Sequence, residues 1–214
     1  MQYSISTTNG GKKMENIKAI FTSLKTQQPK QQKTIKTKQM VGMAMLAAIS
    51  IVFVSIIHFP LFPAAAFLEY DPADIPILIG TFAYGPIAGF LLTVVVSCIQ
   101  GFTVSAGSGV IGIVMHIVAT GSCALICGTI YQKTKTKKGA AVALAVGAVT
   151  MTIAMVIMNL ILTPLFMGAP IETVMAMLVP IIIPFNLLKS VINCFVTFLL
   201  YKSISHILKG VEKK

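Results

Sequence analysis

The chain has 214 residues, of which 56% are hydrophobic and only 11% are charged. That composition excludes a soluble domain of this size and predicts one integral membrane domain. Its 17 lysines and six acids, with no arginine, give a formal net charge of +11. The lysines are concentrated in the N-terminal tail, between Lys133 and Lys138, and at the C-terminal end. This distribution indicates membrane topology and argues against a nucleic-acid-binding surface.

Residues 1–38 form a polar segment with eight lysines. Such a segment buries too little apolar surface to fold alone, so we predict a disordered basic tail or a loose helix on the membrane surface. It has neither the compact apolar run nor the small-residue cleavage site of a secretory signal. The predicted membrane domain covers residues 39–208, and residues 209–214 form a basic C-terminal end.

The first predicted transmembrane helix runs from about Met40 to Ile57. Ala44 and Ala48 lie one helical turn apart within it, and small residues at this spacing allow another helix to approach closely. The spacing alone leaves open whether that helix belongs to this chain or to a partner.

The connection from His58 to Pro72 contains three prolines and is apolar in its middle. It leads into three of the six acids of the chain, Glu69, Asp71 and Asp74. A solvated turn would be more polar, and the prolines exclude a long helix. An apolar, stiffened loop followed by carboxylates favours a lid over a binding site.

Five more helices complete a predicted all-α fold of six transmembrane helices. The second, from Asp74 to Ala83, spans only ~15 Å and cannot cross a membrane alone. Asp74 is its predicted N-cap, with Pro76 in the first turn. The remaining helices are predicted at residues 86–103, 110–131 and 139–162, with a last helix that ends near Ile207. Six crossings place every lysine cluster on one side, so the positive-inside rule predicts cytoplasmic termini and an external acidic loop.

A lysine interrupts the last apolar run, from Met175 to Tyr201. Lys189 there would cost ~3 kcal/mol or more at the bilayer centre, and such a residue by default indicates a functional site. Pro180 and Pro184 precede it and should kink or break the helix. Four polar residues share one helical face, namely Asn186, Lys189, Ser190 and Asn193. The alternative is a lysine that reaches an interface or pairs with a carboxylate for structural reasons.

Three more polar residues of apolar helices lie at a similar depth. At about 1.5 Å per residue, Gln100, His116 and Asn159 are ~21, ~25 and ~30 Å from the cytoplasmic ends of their helices. They are thus level with Lys189 and below the lid. Convergence from four helices predicts a ligand pocket open to the outside, and the apolar inner half argues against a continuous pore.

All four cysteines lie in apolar segments: Cys98, Cys123, Cys127 and Cys194. The i, i+4 spacing of the middle two is helical and differs from a zinc-type Cys-x-x-Cys motif. We interpret all four as small buried hydrophobes and predict neither a disulfide nor a metal site.

Between Phe67 and Gly89 the chain reads FLEYDPADIPILIGTFAYGPIAG. An aromatic–leucine pair, two acids, Asp-Ile-Pro, a short helix and Gly-Pro in this order resemble the substrate-binding S components of energy-coupling factor (ECF) vitamin transporters. The similarity continues at residues 158–164 and 184–189 and covers about residues 40–207. The helix 5 asparagine, together with Asn-x-x-Lys in helix 6, is most similar to the riboflavin-specific members.

The resemblance implies an S-component fold whose first loop closes over riboflavin, the transported ligand, without any cofactor. It implies that Asn159, Asn186 and Lys189 contact the flavin ring, and that the loop backbone and its acids hold the ribityl chain. It also implies that Ala44 and Ala48 contact the ECF transmembrane coupling subunit, which works with two ATPase subunits. Because the chain has no tryptophan, phenylalanine, tyrosine or aliphatic side chains must stack on the ring. The full predicted ligand-binding set is Phe67, Leu68, Glu69, Asp71, Asp74, Gln100, His116, Asn159, Asn186 and Lys189.

Three alternative functions stay open. The same fold could bind another vitamin, such as thiamin, biotin or pantothenate. A proton-coupled carrier could use Lys189 with Glu69 or Asp74 as a relay. An intramembrane enzyme would need a His–Glu or Ser–His constellation, and the sequence contains neither H-E-x-x-H nor G-x-S-x-G, so we predict that the protein is not an enzyme. It also contains no G-x-x-x-x-G-K-[ST], so ATP hydrolysis by a P-loop must come from other chains.

Overall fold

The computed structural model describes Lys18 and residues 37–213. The predicted disorder of the N-terminal tail therefore falls almost wholly outside the described residues. Thr37 and Lys38 already belong to the first helix, which begins three residues before the predicted start.

The described residues form seven α-helices, and the last two belong to one continuous helical rod. The helices are α1 (Thr37–Ile56), α2 (Asp74–Tyr84), α3 (Pro86–Phe102), α4 (Gly109–Thr134), α5 (Lys137–Met167), α6 (Ile171–Met177) and α7 (Ile183–Lys213). A π-helical turn, Leu178–Ile182, joins α6 to α7 without a break. The chain thus folds into the six predicted helical rods, and the sixth consists of three pieces.

The lid, which we define as residues 58–73, connects α1 to α2. It contains the strands β1 (Phe59–Pro60) and β2 (Glu69–Tyr70), with a 3₁₀ turn at Pro63–Ala65 between them. The strands are antiparallel and pair Phe59 with Tyr70. This small hairpin gives the proline-containing connection a defined shape over one end of the bundle.

Four described segments are long and apolar enough to cross a membrane: Thr37–Ile56, Ala106–Thr134, Lys137–Met167 and Ile171–Ile204. The central helix α2 has only 11 residues, and residues 74–82 are all buried. Apart from Asp74 and Thr81 these buried residues are apolar or glycine, which suits the interior of a bundle, and α2 packs against α1, α3, α4 and α7. The prediction that this helix is too short to span alone is confirmed.

The end of the bundle at the α4–α5 turn, which we call the turn half, packs through aromatic and small residues. Phe82 lies 4.3 Å from Tyr131 and 5.3 Å from Tyr201 between ring centroids. A Cβ atom added to Gly128 would lie 2.7 Å from the Cα of Pro86, so α4 meets the start of α3 with no room for a side chain. The opposite end, at the lid, is the lid half.

Two local predictions are corrected. Ala73, not Asp74, is the N-cap of α2, because the Asp74 carboxylate bonds to other helices. Helix α5 does not end near residue 162 but continues through Pro164 to Met167, where Gly168 at φ 60° closes it. A left-handed glycine is the stronger stop signal, since proline removes one hydrogen bond while the rest of the ladder continues. The sixth rod stays helical through its prolines, with Pro180 in the π-helical turn and Pro184 in the first turn of α7, and a kink there stays a prediction.

Candidate functional site

The lid half encloses a cavity of about 140 Å³. Its walls come from the lid, from α3, α4 and the turn between them, and from α5 and α7. Nine of the ten predicted ligand-binding residues line it: Phe67, Leu68, Glu69, Asp71, Gln100, His116, Asn159, Asn186 and Lys189. The tenth, Asp74, does not line the cavity but bonds to His116 in its wall. The predicted convergence of polar groups is therefore present, while their contact with a ligand stays a prediction.

Lys189 pairs with the lid. Its Nζ donates a hydrogen bond to Asp71 Oδ2 at 2.8 Å, and both side chains are buried, with 11% and 5% of their surfaces exposed. Asp71 Oδ1 accepts from the backbone N–H of Ala73 at 3.1 Å. A structural pair with a carboxylate was the alternative to a ligand-binding role for Lys189. The structure shows this pair, and Lys189 lines the cavity as well. Since an ammonium has three N–H groups, Lys189 can hold the lid and still donate to a ligand.

Asp74 is the centre of a second buried network. Its Oδ1 accepts from Thr120 Oγ1 at 2.8 Å and lies 3.0 Å from His116 Nε2. Its Oδ2 accepts from Asn193 Nδ2 at 3.0 Å. Because an ionised carboxylate can only accept, the proton between it and the ring lies on Nε2.

His116 uses both ring nitrogens within the protein. Its Nδ1 lies 2.8 Å from Ser97 Oγ, and its Nε2 faces Asp74. The ring is held from two sides and lines the cavity. It is therefore suited to contact a ligand through its carbon atoms and less suited to hydrogen bonding.

Asn193 of α7 binds two residues of the lid. Its Nδ2 lies 3.2 Å from the backbone oxygen of Asp71, and its Oδ1 accepts from the Tyr70 hydroxyl at 3.1 Å. Burial, with the nearby Asp71 charge as the second cause, raises the pKa of the Tyr70 phenol above its ordinary value. The phenol therefore remains a neutral donor, and the C-terminal end of the lid is fixed to the bundle.

The two predicted ring-binding asparagines are oriented by their own helices. Asn159 Nδ2 donates to the backbone oxygen of Met155 at 2.7 Å, and its Oδ1 accepts from Thr163 at 2.9 Å. Asn186 Nδ2 donates to the backbone oxygen of Ile182 at 2.8 Å, at the end of the π-helical turn. These bonds fix each amide plane, and each Nδ2 carries a second N–H.

The rest of the lid rests on weaker contacts. His58 Nε2 lies 2.7 Å from Glu69 Oε2, with 20% and 34% of their side chains exposed. Aromatic pairs join Phe62 to Phe185 and Phe67 to Phe166, each at 6.3 Å between centroids. The lid therefore has a polar, buried end at Asp71 and an apolar, more open middle.

Several lining residues escaped the sequence reasoning: Ser97, Ser105, Ser108, Met151, Met155, Thr163, Phe166 and Phe185. One sequence signal could have found two of them. Ser97 and Thr163 lie one helical turn from the polar residues Gln100 and Asn159, and so share their faces. The aromatic side chains Phe166 and Phe185 supply the apolar walls that the absence of tryptophan left unassigned.

The cysteines and the outer face of α1 lie outside this site. Cys123, Cys127 and Cys194 are buried, as predicted, while Cys98 is half-buried, and all four are free thiols. Among the described residues, no group of three His, Cys, Asp or Glu side chains is placed to hold a metal ion. Ala44 and Ala48 are exposed on the outer face of α1.

Comparison with known proteins gives consistent results over most of the chain. Residues 38–201 match the family model of the substrate-specific component of ECF transporters. The chain is 29% identical to the riboflavin transporter RibU of Staphylococcus aureus over 182 residues, which cover 82% of this chain and 95% of that protein. It is also 29% identical to the riboflavin transporter FmnP of Bacillus subtilis, with coverage of 78% and 92%. A solved structure described as the S component of a bacterial ECF transporter matches with a TM-score of 0.68 and 30% identity, and covers 80% of this chain and 98% of that one.

Proposed function

Because the chain belongs to the substrate-specific components of ECF transporters, we propose that it binds riboflavin in the lid cavity for uptake by ATP-driven partner subunits. It is a membrane transport component and not an enzyme. The observation that carries the proposal is the meeting of Asn159, Asn186 and Lys189 in one lidded cavity. Two similar proteins that are themselves riboflavin transporters support the choice of ligand.

The chemistry of these side chains suits a flavin ring. The pyrimidine end of a flavin offers carbonyl and ring-nitrogen acceptors and one imide N–H. The Lys189 ammonium and the Asn159 and Asn186 amides supply donors, and amide oxygens can accept from the imide. Methionine and phenylalanine side chains in the same cavity supply apolar walls for the ring faces.

A titration of the purified protein tests the proposal. The chain would be purified alone in detergent and its visible absorbance recorded, after which riboflavin fluorescence would be measured against increasing protein. We expect a yellow preparation or quenching at nanomolar to micromolar flavin, with no competition from thiamin or biotin. A folded, colourless sample that leaves riboflavin fluorescence unchanged would refute riboflavin binding and favour another vitamin.

We assign the orientation from the lysines. The α4–α5 turn carries Lys133, Lys135, Lys137 and Lys138, all exposed. It lies about 39 Å along α4 from the lid end, since α4 has 26 residues. In a cell membrane the positive-inside rule places this turn and both termini in the cytoplasm and the lid outside. The cavity would thus load from the external side.

We assign the partner surface to the outer face of α1. Ala44 and Ala48 are exposed there, and small residues permit close helix contact. The proposed partners are a transmembrane coupling subunit and two ATPase subunits.

In Ala44→Leu we expect riboflavin binding by the isolated chain to stay within about twofold of wild type. Co-purification with the coupling subunit and riboflavin uptake by cells should fall strongly. Val149→Leu, at a position of α5 with 55% of its surface exposed, is the control that should leave both intact.

A further inference from the structure

Gln100 lines the cavity and carries a buried hydrogen-bonding atom that has no partner among the described residues. It lies on α3 near the C-terminal end of that helix, with only 8% of its surface exposed. Its Nε2 donates to Ser105 Oγ at 3.3 Å. Its Oε1 is the one buried side-chain polar atom without a hydrogen-bond partner among the described residues. Buried polar atoms in native proteins almost always have partners, so an unpaired acceptor in a ligand cavity indicates a group that the ligand supplies.

The surroundings of this atom indicate what kind of group that is. Gln100, Ser105 and Ser108 line the cavity together, and we call them the hydroxyl wall. The hydroxyl wall belongs to α3 and to the turn before α4, whereas Asn159, Asn186 and Lys189 belong to α5 and α7. The polar lining of the cavity therefore comes from two pairs of helices, and Gln100 belongs to a different pair from the proposed ring-binding residues.

The acids of the lid already have partners inside the protein. Asp71 binds Lys189 with one carboxylate oxygen and the backbone of Ala73 with the other. Glu69 binds His58 at the rim. Ser97, which also lines the cavity, has its hydroxyl within 2.8 Å of His116. Gln100 Oε1 is thus the buried side-chain acceptor of this cavity that has no partner at all among the described residues.

We propose that the hydroxyl wall binds the polyhydroxylated chain of the ligand, and that Gln100 Oε1 accepts from one of its hydroxyl groups. A hydroxyl fits this position because it can donate to Oε1 and equally accept from a neighbouring Ser105 or Ser108 hydroxyl. This assignment rests on the proposed function, in which the imide end of the flavin lies with Asn186 and Lys189. It makes Gln100 a specificity residue that distinguishes a flavin with a polyol chain from a flavin without one.

Two ligands and two variants test the assignment. Riboflavin and lumiflavin share the ring system, but lumiflavin has a methyl group in place of the ribityl chain. Dissociation constants for both would be measured by fluorescence quenching with wild type, Gln100→Met and Asn186→Ala. Gln100→Met should weaken riboflavin binding about tenfold, as expected for loss of one buried hydrogen bond, and should leave lumiflavin within about twofold. Asn186→Ala should weaken both ligands alike, because it acts on the ring.

The possible results distinguish failure of the proposed riboflavin binding from failure of the Gln100 assignment. If wild type binds neither flavin, the proposed function fails and the assignment fails with it. If wild type binds riboflavin but Gln100→Met weakens both ligands equally, or neither, the proposed function stands and the Gln100 assignment is overturned. If Gln100→Met does not fold, wild type still decides, since equal affinity for riboflavin and lumiflavin would exclude a contact with the chain.

Discussion

The lid half and the turn half of this bundle are held together by different forces. In the lid half, Asp71 and Asp74 bind side chains of α4 and α7 through buried hydrogen bonds and an ion pair. In the turn half, the rings of Phe82, Tyr131 and Tyr201 pack in tilted and edge-to-face pairs, and Gly128 lets α4 touch the start of α3. Hydrogen bonds can be shared with a ligand that arrives, whereas close apolar packing cannot be exchanged. The comparison indicates that binding and structural support are divided between the two ends.

The largest expected effect comes from Lys189→Met in the lid half. The substitution leaves Asp71 buried without its cation, and removal of one partner of a buried pair costs about 3–5 kcal/mol. We expect a clear fall in thermal stability in detergent and at least ~100-fold weaker riboflavin binding. Circular dichroism melting and fluorescence quenching would measure the two.

A double variant separates these two consequences. Asp71→Asn with Lys189→Met removes both charges together, so it should regain much of the lost stability. Its riboflavin affinity should stay low, because the donor to the flavin is still missing. Wild-type flavin affinity in either variant would contradict the place of Lys189 in the site.

The turn half should show the opposite pattern. In Gly128→Ala the new methyl group would lie 2.7 Å from the Cα of Pro86, and overpacking of this kind costs about 1–3 kcal/mol. We expect a lower melting temperature, with riboflavin affinity of the folded protein within about twofold of wild type. Val142→Ala is the control in the same half, since 56% of the surface of Val142 is exposed and the substitution adds no atom. A change in flavin affinity as large as that of Lys189→Met would remove the distinction between the halves.

The smallest effect is expected at the rim of the lid. His58→Gln removes a partly exposed pair with Glu69, and such pairs contribute ~1 kcal/mol or less. Riboflavin should bind no more than about fivefold more weakly. Because salt screens exposed pairs, the difference from wild type should shrink when titrations at low salt are repeated at ~1 M salt. A persistent difference at high salt would mean that His58 contacts the ligand directly.

The depth of the site was predictable from the sequence. The fixed rise of a helix places Gln100, His116 and Asn159 level with Lys189, and the structure brings these four residues to one cavity. The lid was also predictable, because prolines, apolar residues and acids cannot together form an ordinary solvated turn. The shortness of α2 was predictable too, because its apolar run between Asp74 and Gly85-Pro86 covers only ~15 Å.

The pairing of the charges was not predictable. Three acids lie close together near the start of α2, and the sequence does not state which one reaches Lys189. The choice depends on the lid hairpin, which places Asp71 beside Lys189 while Asp74 turns toward α4. The prediction of Asp74 as the N-cap was wrong for a related reason. A buried carboxylate with three side-chain partners stabilises the fold more than a cap would.

The π-helical turn at Leu178–Ile182 makes the sixth rod sensitive to its length. A π-helical turn holds one more residue than an α-helical turn, so it sets the rotation of α7 about its own axis. Val179 lies in this turn with 71% of its surface exposed, and many side chains would be tolerated there. Loss of one residue there would leave a regular α-helical turn and keep the facing of α7, whereas one inserted residue would rotate α7 by about 100° around its axis. Asn186 and Lys189 would then leave the cavity, so in this segment spacing is under stricter constraint than residue type.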